Sequence, residues 1–255
     1  MSLSLPHALS IWRRNATMYG RTWKFTILPN FFEPVFYLTS IGIGVGSYLQ
    51  TMGGLPYAEF LAPGLVCVAA MNGVSYEVTY NVFVRMNYEK AYDAMLTTPL
   101  VPDDILAGEF LWALTRSTLY GSVFFLVVLL FGLTPGPWAL GALLAVPLCG
   151  LLFGALGLAY TMTIPGIELF SFYFTLFLTP LFLFSDVFFP IDERLSGGWL
   201  LVAEALPLLH PVRLARSFFR AEFGWWMVWD VAYILGLSTL LLGLARRAIR
   251  RRLTT

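Results

Sequence analysis

The sequence predicts an all-α membrane protein with six transmembrane helices, an N-terminal interfacial amphipathic helix and an outer re-entrant helical hairpin before the last span. Three observations predict it. Over 255 residues, 58% are hydrophobic and 12% charged, about half the charged share of a soluble domain, and the mean hydropathy is +0.74. The surface of a soluble domain of this size shrinks too slowly to hide so much apolar area. The apolar residues also fall into six runs near or above the roughly 20 residues that cross a bilayer, and Lys and Arg alternate in density between the intervening segments.

Residues 3–24 are too polar to span. Leu5, Leu9, Trp12, Ala16, Tyr19 and Trp23 recur at steps of three and four, which places them on one helical face. Arg13, Arg14, Asn15 and Arg21 fall mostly off it. Residues 1–26 therefore read as a helix lying at the membrane interface; a soluble helix packed on a partner is the alternative. No cleavable signal peptide is expected, because no short apolar core with a small-residue cleavage site precedes the first long run near Ile27.

The spans fall at about 27–49, 60–84, 106–133, 138–164, 167–187 and 225–245 within a membrane domain of 27–255. As helices, all can satisfy their backbone groups internally. Counting Lys and Arg, the segments before span one, between spans two and three, and after span six, together with Arg116 inside the third run, hold 12, against 4 on the opposite side. That asymmetry places both termini in the cytoplasm. Residues 188–224 are expected to form the outer hairpin: the apolar stretch 199–209 is too short to cross. A small cap packed on the bundle is the alternative.

Several function classes are absent from the sequence. There is no phosphate loop of the G-x-x-x-x-G-K-[ST] type, and neither Lys24 nor Lys90 follows a glycine. Gly42, Gly44 and Gly46 lie inside an apolar span rather than a strand–turn–helix, so they read as helix packing, not dinucleotide binding. Gly150 and Gly154 read the same way. His7 and His210 stand far apart and no Cys/His cluster exists, so no metal is expected. Cys67 and Cys149, each inside an apolar run, read as small buried hydrophobes.

Charges within apolar runs are costly and therefore informative. Glu33, Glu77, Glu109 and Arg116 are such charges, the last two sharing one helical face seven residues apart. Glu33 and Glu77 read as helix-interface contacts rather than catalysts; pairing or snorkelling near the interface is the alternative. Span five, F-S-F-Y-F-T-L-F-L-T-P-L-F-L-F over 170–184, offers Phe170, Tyr173, Phe174 and Phe177 as candidates for an amphipathic substrate path, against a role in packing alone. The polar segment 85–104, ended by Pro99 and Pro102, carries a short helix suited to receive force from a soluble partner. A passive linker is the alternative.

The stretch 181–216 resembles a known pattern: Phe188, Phe189, Pro190 and Ile191, then Trp199 and Leu200, then Leu206, Pro207, Leu208, His210, Val212 and Arg216. Together with Leu96 to Leu100 and the six-span layout, it is similar to the type-2 ABC exporter permeases, nearest in size and motif to lipo-oligosaccharide (nodulation-factor) and drug-resistance permeases. Asp186 departs from the pattern, where a small residue is more usual. The resemblance implies a half-transporter of the inner membrane, paired as a homodimer. ATP and Mg would bind two copies of a separate ATPase subunit, and this chain would carry no cofactor or catalytic residue of its own. It also implies a coupling helix at about 86–98, presenting Tyr88, Glu89, Lys90, Asp93 and Leu96 to that ATPase, and export of a lipid-linked saccharide or lipo-oligosaccharide. A drug or natural-product exporter is the nearest alternative. A membrane enzyme acting on lipid head groups through Asp192, Glu193, Arg194 and His210 is the more distant one.

Overall fold

The computed structural model describes residues 3–44, 48, 51–191 and 197–253. Asp192, Glu193, Arg194 and Gly46 lie outside the described residues. The first helix, α1, runs unbroken over Leu5–Ile43. At 1.5 Å per residue it is roughly 58 Å long, far longer than the hydrocarbon core. The amphipathic segment and span one are thus one rod, not two elements. A short hairpin follows, β1 Thr51–Met52 and β2 Leu55–Pro56, paired antiparallel with Thr51 opposite Pro56. Gly53 and Gly54 turn it with φ of +55° and +80°, the double left-handed geometry of a two-residue turn. The sequence reading had only a loop there.

Helix α2 occupies Tyr57–Tyr88, and its last third widens into π-turns at Glu77–Asn81 and Val84–Tyr88. A break at Glu89 and Lys90 (φ 52° at Lys90) leads into the six-residue α3, Ala91–Leu96. The expected 86–98 helix is therefore the end of α2, a turn and α3. Helix α4 spans Pro102–Leu130. Helix α5 spans Pro137–Thr163, with a 3-10 opening over Pro137–Leu144. Helix α6 spans Ile167–Phe184, with a π-segment at Tyr173–Leu178. The 188–224 region contains α7, Gly198–Glu204, and α8, Leu209–Arg220. Helix α9, Trp226–Leu253, carries the last span on through the arginine-rich tail. Among the described residues, five helices (α2, α4, α5, α6 and α9) have the length and apolarity to cross a membrane. The sixth expected span is the second half of α1.

Helix α2 is the core of the bundle: Phe60, Leu61, Val66, Ala70, Val74 and Val78 are wholly buried. It packs against α4 and α5, while α1 lies along α4 and α9 along α5. The protein-facing stripe of α1 is Ala8, Ile11 and Asn15; Leu5, Leu9 and Trp23 of the predicted apolar face stay exposed. Glycines permit the close approaches. A Cβ on Gly108 would meet Ile11 at 2.6 Å, one on Gly150 would meet Ser117 at 2.5 Å, and one on Gly157 would meet Val78 at 2.2 Å. Helix α8 is mostly buried against α2, α5 and α9, so this half of the hairpin is built into the bundle rather than hung from it.

Both ends are tied by charge. At the end holding the N-terminus, the basic end, Asp103 accepts from Arg246 (2.6 Å) and from Arg250. Asp104 accepts from the backbone N–H of Ser4 (2.7 Å) and of Val101 (3.2 Å), capping the start of α4. Arg252 donates to the terminal carbonyls of α5 at Thr161 (3.1 Å) and Ile164 (2.9 Å), where a cation suits the helix dipole. At the hairpin end, Arg220 donates to the Gly53 carbonyl at 3.0 Å.

Gly157→Val should lower stability by about 1–3 kcal/mol through overpacking, read as a fall in the thermal midpoint of the detergent-solubilised protein. Gly236→Ala, which meets nothing within 4 Å, should leave the midpoint unchanged or slightly raised.

Candidate functional site: a buried ion cluster and the cavity beside it

Glu77, Asn81 and Arg85 recur every four residues and so share one face of α2, the face turned toward α1 and α4. Arg85 donates to Glu77 at 2.8 Å and to Glu109 of α4 at 2.7 Å. Asn81 donates to Glu77 at 2.8 Å, and Asn15 of α1 to Glu109 at 3.0 Å. Arg116 of α4 stands 3.5 Å from Glu77 and donates to the Tyr120 hydroxyl at 2.6 Å. Its guanidinium lies over the rings of Tyr19 (4.3 Å) and Tyr120 (4.7 Å). Glu77, Glu109 and Arg116 are all buried. Two carboxylates and two guanidiniums balance, as a low-dielectric site requires. The π-turns of α2 coincide with this cluster. They rotate Glu77 and Arg85 relative to a regular helix, and such turns recur at functional sites.

Three of the four intramembrane charges singled out in the sequence therefore meet. Glu109 and Arg116 do share a face, and Glu77 and Arg85 join them. The sequence reading missed Arg85, counted there as a loop charge, as well as Asn15 and Tyr92. Period-four spacing from Glu77 carried the signal for Arg85. Nothing in sequence separated Asn15 from the other polar residues of α1.

Tyr92, the fully buried residue of α3, lies beside Glu109 and Arg85, its hydroxyl making no hydrogen bond among the described residues. Burial, and then the Glu109 carboxylate, push its phenol well above the ordinary range, so it stays a neutral hydroxyl. Its neighbours Tyr88, Glu89, Lys90 and Asp93 are exposed and Leu96 is half-buried. The short α3 thus presents a polar outer surface and inserts one side chain into the ion cluster.

On the other side of Tyr120 lies a cavity of about 410 Å³ between α1, α2, α4 and α6. Glu33, Tyr37, Asn72, Tyr76, Tyr120, Phe124, Phe174, Thr175, Thr179 and Phe182 are among its lining residues. Asn72 sits near the midpoint of α2, so the cavity is at mid-depth in the bundle. Tyr76 and Phe174 stack at 4.6 Å on its wall. Glu33, the third carboxylate of the sequence reading, faces this cavity rather than the ion cluster. Of the four aromatic path candidates, Phe174 lines the cavity. Phe170 and Tyr173 are buried behind it, and Tyr173 lies 3.3 Å from the Ser75 hydroxyl. Phe177 is half-buried and contacts Tyr173.

The hairpin motif has a structural role here. His210 is fully buried, 2.7 Å from Asp230 of α9 and 3.0 Å from the Glu204 carbonyl, and stacked on Tyr233 at 3.7 Å. Arg213 joins Asp230 at 3.0 Å and pairs with Glu204. Arg216 pairs with Asp186, donates to the Phe60 carbonyl at 3.3 Å and covers the Phe60 ring at 4.0 Å. Asp186, the departure from the family pattern, adopts φ 60° and accepts from the Ile191 N–H at 3.0 Å. A short acidic side chain tolerates that backbone and supplies the counter-charge for Arg216. Phe189 and Pro190 are half-buried and Pro207 buried, whereas Trp199 is exposed. Both His210 ring nitrogens are thus engaged within the protein, while Asp192, Glu193 and Arg194 of the enzyme alternative lie outside the described residues.

Replacing Arg85 by Met leaves two buried carboxylates facing one guanidinium and should cost about 3–5 kcal/mol. The Arg85→Met/Glu109→Gln double variant should recover part of that loss. A double-mutant cycle on thermal unfolding measures the coupling, and strictly additive losses would contradict the pairing.

Comparison with known proteins gives the same picture from another direction. Residues 7–219 match the family described as ABC-2 type transporter. The chain is 36% identical over 208 residues to Nodulation protein J of Rhizobium leguminosarum bv. viciae, covering 82% of this chain and 80% of that one. It is 34% identical over 208 residues to Nodulation protein J of Rhizobium meliloti (strain 1021), covering 82% and 79%. It is 26% identical over 218 residues to the inner membrane transport permease YadH of Escherichia coli (strain K12), covering 84% and 81%. With a family match over most of its length and such relatives of nearly its own size, this multi-pass membrane protein belongs to the ABC-2 type transporter family.

Proposed function

We propose that the chain is the membrane half of an ATP-driven exporter that carries an amphipathic saccharide, a lipid-linked saccharide or lipo-oligosaccharide, out of the cell. The observation that carries this reading is the continuous set of contacts from the mid-depth cavity to α3. Tyr120 lines the cavity and contacts Arg116; Arg116 stands beside Glu77; Glu77 and Glu109 share Arg85; and Tyr92 of α3 meets both Arg85 and Glu109. In this reading a push on α3 passes through these charges to the cavity wall. The mixed lining of that cavity suits a molecule with a polar head and an apolar tail. The substrate class is taken from the resemblance to lipo-oligosaccharide permeases; the relatives' name speaks of nodulation alone.

In this reading the basic end faces the cytoplasm of the inner membrane, with both termini, consistent with the distribution of Lys and Arg. Two copies of a separate ATPase dock there on Tyr88, Glu89, Lys90, Asp93 and Leu96, and bind the ATP and Mg that power transport. A second permease chain completes the path as a homodimer. The broad exposed apolar faces of α6 and α9 are available to lipid and to that second copy. A hydrophobic-drug exporter would use the same cavity with a different head-group preference.

The test is purification of the tagged chain from its host in mild detergent. A phosphate-loop ATPase should copurify and be lost in the Glu89→Ala/Lys90→Ala/Asp93→Ala variant, whose changes touch only exposed positions. Tyr92→Phe should keep the partner but lower substrate-stimulated ATP hydrolysis several-fold. A well-behaved protein that brings no ATPase, under conditions where a control transporter keeps its own, would refute the reading.

A further inference from the structure

The lining of the mid-depth cavity restricts the head group further than any amphiphile would need. Among the described residues that line it, Glu33 is the one that carries charge. Among the described residues that line the space there is no Lys or Arg; Arg116, the cation that touches Tyr120, is engaged by its hydroxyl at 2.6 Å and by Glu77 at 3.5 Å. A phosphate or diphosphate brought here would shed part of its hydration without meeting a guanidinium or ammonium of the described lining, and would face a carboxylate. Burying an unpaired charge in this way is strongly unfavourable.

The neutral groups favour one class over another. The Asn72 amide, the Tyr37 and Tyr76 phenols and the Thr175 hydroxyl together offer both donors and acceptors, and the Glu33 carboxylate accepts. Thr179 donates to the Phe174 carbonyl at 3.0 Å and keeps its lone pairs for a ligand. An ammonium has only donors, and would leave the amide and phenol donors unmatched. A polyol has both, and its flat C–H faces can lie against the stacked Tyr76 and Phe174 rings.

We infer that the cavity between α1, α2, α4 and α6 takes a neutral, polyhydroxylated and phosphate-free head group, with Glu33 as the residue that rejects anions. The inference rests on the exporter reading for its meaning, but its test does not depend on an ATPase. Thr175→Cys, or Thr179→Cys if the first folds poorly, is placed in the full chain in phosphatidylcholine nanodiscs. The labelling rate with N-ethylmaleimide is then followed; Cys67 and Cys149 are fully buried and silent. Thr118→Cys, exposed on another face of α4, is the control.

Dodecyl maltotrioside should slow labelling of the cavity thiol several-fold and leave the control thiol unchanged. Dodecyl phosphate should give little protection, and more once Glu33→Gln is added, while maltotrioside protection survives that change. Equal protection by dodecyl phosphate with Glu33 in place would overturn the inference. So would protection by dodecyltrimethylammonium alone, or no protection by the maltotrioside. None of these results would disturb the copurification outcome, so the two readings fail separately.

Discussion

The structure turns on the need to neutralise two carboxylates buried between three helices. Glu77 and Glu109 cannot be held in an apolar bundle without counter-charge, and Arg85 bridges them while Arg116 covers the open side of Glu77. Satisfying that requirement fixes much else. It sets the rotation of α2 about its axis, with π-turns where the cluster forms. It draws α1 onto α4 through Asn15 and Trp12, the indole donating to Thr115 at 2.9 Å. It gives Tyr92 a place to insert, which anchors the otherwise short α3. A six-residue helix would not be stable alone; here its one buried ring holds it.

The two ends of the bundle are secured by different means. At the basic end, arginines of α9 reach across to Asp103, to Asn87 and to the last carbonyls of α5. That end is held by a carboxylate, Asp103, that is itself buried while its two arginine partners stand half in solvent. At the hairpin end, the buried His210 and Asp230 are joined by the partly exposed Arg213 and Glu204, and Arg216 with Asp186 forms a second group. These lock α8 against α2 and α9.

Between them, the cavity joins a polar wall to an aromatic one. Its position on the far side of Tyr120 from the ion cluster means that one side chain belongs to both. Gly73 makes this possible, since a Cβ there would fall 2.6 Å from the Tyr120 ring. The backbone of α2 thus approaches α4 closely enough for the phenol to reach Arg116 while its ring still faces the cavity.

The sequence by itself determined the fold class, because hydropathy and charge content leave no soluble solution for this chain. Its apolar runs also fall on α2, α4, α5 and α6: spans need about 20 apolar residues, and prolines and polar runs mark their ends. It flagged Glu77, Glu109 and Arg116, since a charge in an apolar run is conspicuous. Tertiary structure alone decided which of them meet. Glu33, Glu77 and Glu109 look alike in sequence, yet two enter the ion cluster and one faces the cavity, because helix rotation is set by packing. It also decided that α1 is one continuous rod, that residues 51–56 pair as strands, and that His210 is sealed rather than catalytic. Tyr92 and Asn15 take their roles from contacts about 17 and 94 residues away along the chain; periodicity reads a helix's own faces, not what another helix brings to them.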